Sequence, residues 1–279
     1  MSLRTKVRTQ SPPGFFRPLI QPAEFESWHD YYSRYQYLLA KDYICPTLEK
    51  WGVRIAESHI LDVGCGDGGF AHALVNLGAE CLGLDIKNFN WATHATPGLR
   101  FITGDICNAE TVKQIGGKFD LIIARDVIEH ISDKEAFFRN VLSLLKDDGR
   151  LFFTFPPFYS PFGAHQQVFL KSKLKALPYL HWLPDKPYTW LVSHFENGTA
   201  HWAEILDIRK TRTSIRLFKS LVKRFGLRIL KSKYYLFRPT FRIRYGLPPL
   251  GAFWGKVPWL NEITVTAVYF LLARSSSNG

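Results

Sequence analysis

The sequence predicts an α/β protein whose mostly parallel sheet is covered by helices on both faces, and three observations predict it. Strand-like and helix-like runs alternate through the middle of the chain, as βαβ units require. The strand interiors are continuous apolar runs, "LII" at 121–123 and "LFFTF" at 151–155, which fits burial on both sheet faces. The first strand runs straight into "GCGDGG" and then a helix, a pattern that brings backbone N–H groups close to a ligand.

The elements follow in order. Residues 1–50 read as an N-terminal arm, charged and without the apolar stretch of a signal peptide, followed by one or two helices in "FESWHDYYSRYQYLLAKDYICPTLEKW". Strands are predicted at His59 to Val63, Cys81 to Ile86, Arg100 to Ile106, Phe119 to Arg125 and Arg150 to Phe155. Helices are predicted at Phe70 to Asn76 and Asp133 to Leu145. In the second, Ala136, Phe137, Val141, Leu144 and Leu145 recur at helical spacing, Ser132 with Glu135 reads as a capping box, and Gly149 ends the turn that follows. After Phe155 the alternation stops. Residues 157–210 are rich in Pro, His and aromatics, too long for a βα connection and too apolar for a linker, so they are expected to form a substrate lid over the sheet's carboxyl edge. Residues 211–279 then supply a helix marked by Ile215, Phe218, Leu221, Val222 and Phe225, and strands at Leu227 to Leu236 and Ile263 to Ala273. With residues 51–156 they complete one domain.

Composition narrows the setting. An apolar share of 46% in 279 residues suffices for a sizeable core. Cys45, Cys65, Cys81 and Cys107 are scattered without metal-ligand or disulfide spacing, which points to a reducing, cytoplasmic location and no structural metal. The run Val265 to Ala273 is too short to span a membrane. Net charge is +12, and from Ile208 onward fifteen Lys or Arg against the single acid Glu262 give +14, leaving −2 for the rest. Such a basic segment suits an anionic membrane surface, nucleic acid, a phosphorylated ligand or solvent alone.

The strand ends carry the chemistry. Asp85 closes the second strand 16 residues after Gly69, near the spacing that places a carboxylate on a ribose diol, although a nicotinamide dehydrogenase would share this feature. Asp62, two residues before Gly64, would repel a pyrophosphate, which counts against that reading. Asp105 ends the third strand, where it can accept from an exocyclic amine while Ile106 covers a purine. Arg125 and Asp126 leave the fourth strand at the same edge.

Taken together, "LDVGCGDGG", "CLGLDI", "FITGDI", "FDLIIARDVIEHI" and "LLKDDGRLFFTFP" resemble the successive motifs of class I S-adenosylmethionine-dependent methyltransferases, and "VIEHI" looks like the ubiquinone-biosynthesis type acting on small molecules. The resemblance covers residues 58–157 and, loosely, the last helix and two strands. It implies a Rossmann-like seven-stranded sheet with an antiparallel last strand. It also implies S-adenosylmethionine as cofactor, with Asp62, Gly64, Cys65 and Gly66 at its methionine part, Asp85 and Ile86 at the ribose side, Asp105 and Ile106 at the adenine, and Arg125 with Asp126 beside the sulfonium. A cation next to a sulfonium is unfavourable, so Arg125 is expected to reach the methionine carboxylate or pair with Asp126, or to contribute only its backbone.

An oxygen or nitrogen acceptor also needs its proton removed by a group titrating near neutrality. His165, just past the fifth strand, is the first candidate for that base. His130, His194 and His201 are the others, and no set of carboxylates marks a catalytic metal site. Lys171, Lys173 and Lys175 alternate with Leu170, Leu174 and Leu177, which suits a lid lying against an anionic bilayer. The acceptor is therefore expected to be a lipophilic or phosphorylated small molecule. RNA methylation by the basic C-terminal face, and a non-catalytic cofactor-binding or assembly module, are the alternative functions.

Overall fold

The computed structural model describes residues 17–89, 91, 96–196 and 202–275, so most of the N-terminal arm lies outside the described residues. Eight strands form one sheet: β1 His59–Val63, β2 Glu80–Asp85, β3 Leu99–Thr103, β4 Phe119–Arg125, β5 Leu145–Phe155, β6 Leu227–Phe237, β7 Leu250–Gly251 and β8 Ala267–Arg274. Their order is β3-β2-β1-β4-β5-β8-β6-β7. The first five are mutually parallel, β8 is antiparallel to both β5 and β6, and β7 is antiparallel to β6. The seven expected strands are all present. The eighth, β7, is a two-residue edge piece too short to leave a period in the sequence.

Strand alternation divides the core. Leu61, Val63, Ile122 and Phe153 face one helical layer, containing α4 (Ala109–Ile115), α5 (Lys134–Ser143) and α9 (Ile215–Arg224). Ile60, Leu121, Ile123 and Phe152 face the other, containing α1 (Trp28–Leu39), α2 (Cys45–Lys50) and α3 (Gly69–Asn76). Covering both faces is why the interiors of these strands are largely apolar. Between α1 and α2 the turn Ala40–Ile44 is π-helical and ends two residues before Pro46, whose missing N–H cannot continue the i→i−4 ladder.

Several boundaries differ from the sequence expectation. The cap of α5 is Asp133, whose carboxylate accepts from the Ala136 N–H at 2.8 Å, not Ser132. Glu135 is consequently free of the capping box and accepts from Arg224 at 2.5 Å. Gly149 does not precede a strand but lies within β5, which begins at Leu145. The predicted loop before the last strand holds α10 (Pro239–Tyr245) and α11 (Pro258–Thr264), each opened by proline, so β8 starts four residues later than the apolar run suggested.

The segment after β5 folds as its own small unit. Its helices α6 (Gln166–Phe169), α7 (Asp185–Glu196) and α8 (Trp202–Thr211) enclose Leu170, Leu180, Tyr188, Val192 and Ile205. Arg209 stacks over Tyr188 at 4.1 Å and donates to the carbonyls of His181 and Leu183 and to Asp185. The unit is tied to the sheet's carboxyl edge: Phe158 N–H donates to Thr213 O, Thr211 Oγ1 to Glu129 O, and Tyr179 Oη to Ile263 O.

The aromatic cluster under α9 should dominate stability. Phe218 is fully buried among Phe138, Phe153, Phe155 and Phe270, with ring centroids 5.0 to 6.1 Å away. Phe218→Ala is expected to cost about 3–5 kcal/mol in urea unfolding, and a loss below about 1 kcal/mol would mean that α9 does not close this core.

Candidate active site

The turn after β1 builds the site's floor. Gly64, Gly66 and Gly68 have φ of +72°, +53° and +81°, conformations open to glycine and strained for other residues. A Cβ on Gly64 would lie 2.3 Å from Val127 Cγ2, so the turn also needs glycine to close on the loop after β4. Gly64 and Cys65 donate to Leu84 O at the end of β2. Asp85 then accepts from Gly66 N–H at 2.8 Å and from Lys87 N–H at 3.0 Å, which holds the strand-end carboxylate against the glycine turn. Among the described residues, a Cβ on Gly66 would meet Tyr32 of α1 at an ordinary contact distance, 3.8 Å.

Cys65 is buried against Gly83, and burial raises its thiol well above the usual range, as befits a spacer rather than a nucleophile. Ile86 is 66% exposed, whereas Ile106 is packed in the core and gives its carbonyl to Asn140. Asp105 is exposed and accepts from Cys107 N–H at 2.8 Å. Trp91, absent from the sequence reading, donates its indole N–H to Gly66 O at 2.8 Å and stacks on Phe101 at 4.8 Å. Its signal is spread over three segments, so no single motif contains it.

Of the three arrangements open to Arg125, its side chain takes neither of the first two. It neither reaches outward nor pairs with Asp126. Its guanidinium lies 3.6 Å over Phe70, donates to Gln36 Oε1 at 2.5 Å and stands 3.8 Å from Asp62 Oδ2. Asp62 is fully buried and its two oxygens have no hydrogen-bond partner among the described residues. Burial lifts its pKa to about 6, with Arg125 opposing that rise. Asp126, at φ +52°, instead accepts from Arg238 at 3.1 Å and Thr154 at 3.3 Å.

The tertiary structure brings together a second group. Glu129 Oε1 lies 3.1 Å from His165 Nε2, and the His130 and His165 rings are 5.5 Å apart. One ligand atom from each of Glu129, His130 and His165 falls within a 4.8 Å cluster, so the set can hold a cation or carry a proton. Burial favours the neutral forms: Glu129 is raised to about 8 and His165 lowered to about 4. Glu129 was missed because its partner lies 36 residues away across β5 and α5. His194 is on α7, stacked on Trp190 at 5.7 Å and apart from this cluster, and His201 lies outside the described residues.

A mostly parallel sheet in which the reversed strand β8 lies between β5 and β6, with a glycine turn after β1, is the class I methyltransferase fold. A family model described as a methyltransferase domain matches residues 32–232, and the chain belongs to that family. It is 31% identical over 148 residues to the ubiquinone biosynthesis O-methyltransferase of Bartonella bacilliformis, covering 51% of this chain and 56% of that protein. It is 26% identical over 187 residues to the protein of the same name from Ruegeria pomeroyi, covering 66% and 65%. The chain therefore spans less than two thirds of these relatives. Among solved structures, magnesium protoporphyrin IX methyltransferase from Synechocystis with bound SAH superposes with a TM-score of 0.52 at 17% identity, covering 90% of this chain and 89% of that one.

Removing either member of the buried Asp62–Arg125 pair strands the other. Arg125→Met is expected to destabilise the protein by about 3–5 kcal/mol, and Asp62→Asn in the same chain should return most of that loss. A thermal double-mutant cycle that comes out additive would show that the two side chains do not interact.

Proposed function

We propose that this chain binds S-adenosylmethionine and transfers its methyl group to an oxygen or nitrogen of a small lipophilic or phosphorylated acceptor. The observation that carries the cofactor half is the cradle at Gly66. Its left-handed backbone is held on Asp85, and the unsatisfied Asp62 carboxylate sits at the base of the turn. These residues fit the group: Asp85 and Asp105 are acceptors for ribose hydroxyls and an adenine amine, and Ile86 offers an exposed apolar side chain. The inward turn of Arg125 supports the same reading, because it keeps the guanidinium from facing a sulfonium and leaves only backbone at that edge.

Bound there, the cofactor supplies a methyl carbon already activated toward attack, so the protein's work is alignment and proton removal. Glu129 and His165 provide the second. When Glu129 is a carboxylate it accepts the His165 Nε2–H, which leaves Nδ1 basic for the acceptor's proton. While Glu129 keeps its proton, that orientation is lost. The folded-state pKa of Glu129 is raised, to about 8, so the competent form accumulates as pH rises through that value.

The insertion supports a lipophilic acceptor. Leu177, Tyr179, Trp182 and Leu183 are 36 to 49% exposed on the same unit as Lys171, Lys173 and Lys175, a face suited to peripheral contact with an anionic membrane. No helix among the described residues is long and apolar enough to cross a membrane. Vesicle sedimentation with and without anionic lipid tests this contact, and preferential binding of RNA in a salt-titrated shift assay would instead favour a nucleic-acid acceptor.

Isothermal titration should detect S-adenosylmethionine and its demethylated product, and Asp85→Ala should abolish both signals; folded wild-type chain that binds neither would overturn the cofactor assignment. Turnover should rise along a limb near pH 8 that Glu129→Gln removes. His165→Asn, chosen because Asn tolerates the left-handed backbone at this position, should keep cofactor affinity and lower kcat by about 10²–10⁴. Unchanged kcat would eliminate it as the base.

A further inference from the structure

A cavity of about 540 Å³ opens between Tyr159 at the start of the insertion, the first turn of α9 and α11. None of its lining residues belongs to the glycine turn or to the ends of β2, β3 or β4, so it is distinct from the cofactor cradle. Its volume is that of a small-molecule site. Ile215, Pro258, Trp259 and Ile263 give it apolar walls, and Trp259 is 68% exposed despite its size.

The charge lining this cavity is net positive. Arg216 and Lys219 both line it, one turn apart on α9. The single carboxylate of the lining, Glu262, is already used: its oxygens accept from the N–H groups of Ile215 and Arg216 at 3.0 and 2.7 Å, capping α9. The lining contains one further polar signal. Asn261 is 1% exposed and donates its amide to Gly255 O at 2.7 Å, while its Oδ1 has no hydrogen-bond partner among the described residues. A buried acceptor left unmatched is costly unless something supplies a donor.

The geometry points to a binding site for a monomeric amphiphile, with an apolar chain or ring against Trp259 and Tyr159 and a phosphate or carboxylate head between Arg216 and Lys219. The unmatched Asn261 Oδ1 suits a hydroxyl or protonated head group. The site goes beyond the methyl-transfer reading and does not depend on it, since it uses no residue of that machinery.

Octyl phosphate, octanol and inorganic phosphate, each below any aggregation threshold, separate its two components. Octyl phosphate is expected to quench tryptophan fluorescence saturably, with the signal lost in Trp259→Phe. Octanol and phosphate should each bind at least about tenfold more weakly, and Arg216→Glu with Lys219→Glu should weaken octyl phosphate by about tenfold or more. Titration of that double variant with the demethylated cofactor checks its fold; the three-probe comparison needs only the unaltered chain, so a misfolded variant leaves the test intact. Octanol binding as tightly as octyl phosphate would remove the role of the cations, and inorganic phosphate doing so would remove that of the apolar walls. Sedimentation with anionic vesicles without saturable binding of the monomer would make the patch a membrane contact and overturn the proposal.

Discussion

The close approach of Gly64 to Val127 is the constraint on which the rest of the site depends. With no side chain at 64, the turn after β1 and the loop after β4 meet at van der Waals distance. That meeting sets the Gly66 peptide against Asp85 on one side and places Asp126, Glu129 and His130 on the other. The parallel ladder between β1 and β4 delivers both strand ends to one edge, and the missing side chain at Gly64 lets the loops that follow them close on each other.

Charge is distributed around that contact in two separate pairs. Asp62 and Arg125 are both buried beneath the turn, where the guanidinium also stacks on Phe70. Asp126 and Arg238 form the outer pair, in which a residue from the C-terminal basic segment neutralises an acid of the strand edge. The net +14 of that segment is therefore partly structural. Arg274 donates to the carbonyls of Leu142 and Leu145, and Arg242 to those of Arg17 and Gly246. Cations that hold carbonyls and strand-end acids are committed to the fold, which leaves residues such as Arg216 and Lys219 as the part of the basic excess that faces a cavity.

The insertion changes what the edge can do. By bringing His165 to Glu129 it gives an otherwise isolated buried acid a hydrogen-bond partner. Its own core is small, so much of its position is set by a few directed hydrogen bonds: Arg209 to two carbonyls, Glu196 to the amides of Lys171 and Ser172, and Tyr179 to Ile263. Low apolar contact with many polar anchors is the composition of an element that can open locally without unfolding the sheet.

The sequence by itself determined the fold class and the positions of the seven longer strands along the chain, because continuous apolar runs and glycine spacing are local signals. Its errors were local too: Asp133 rather than Ser132 caps α5, since either side chain can accept there, and two helices opened by proline were read as loop. Only the tertiary structure decided where the charges point. Arg125 turns inward because Asp62, Gln36 and Phe70, from three separate segments, surround it, and no spacing in the chain records that. The same holds for Glu129 with His165, for Trp91 on Gly66, and for the basic cavity between α9 and α11. Each is a contact between distant segments, and the free energy that selects it comes from burial and pairing, which exist only once the sheet has closed.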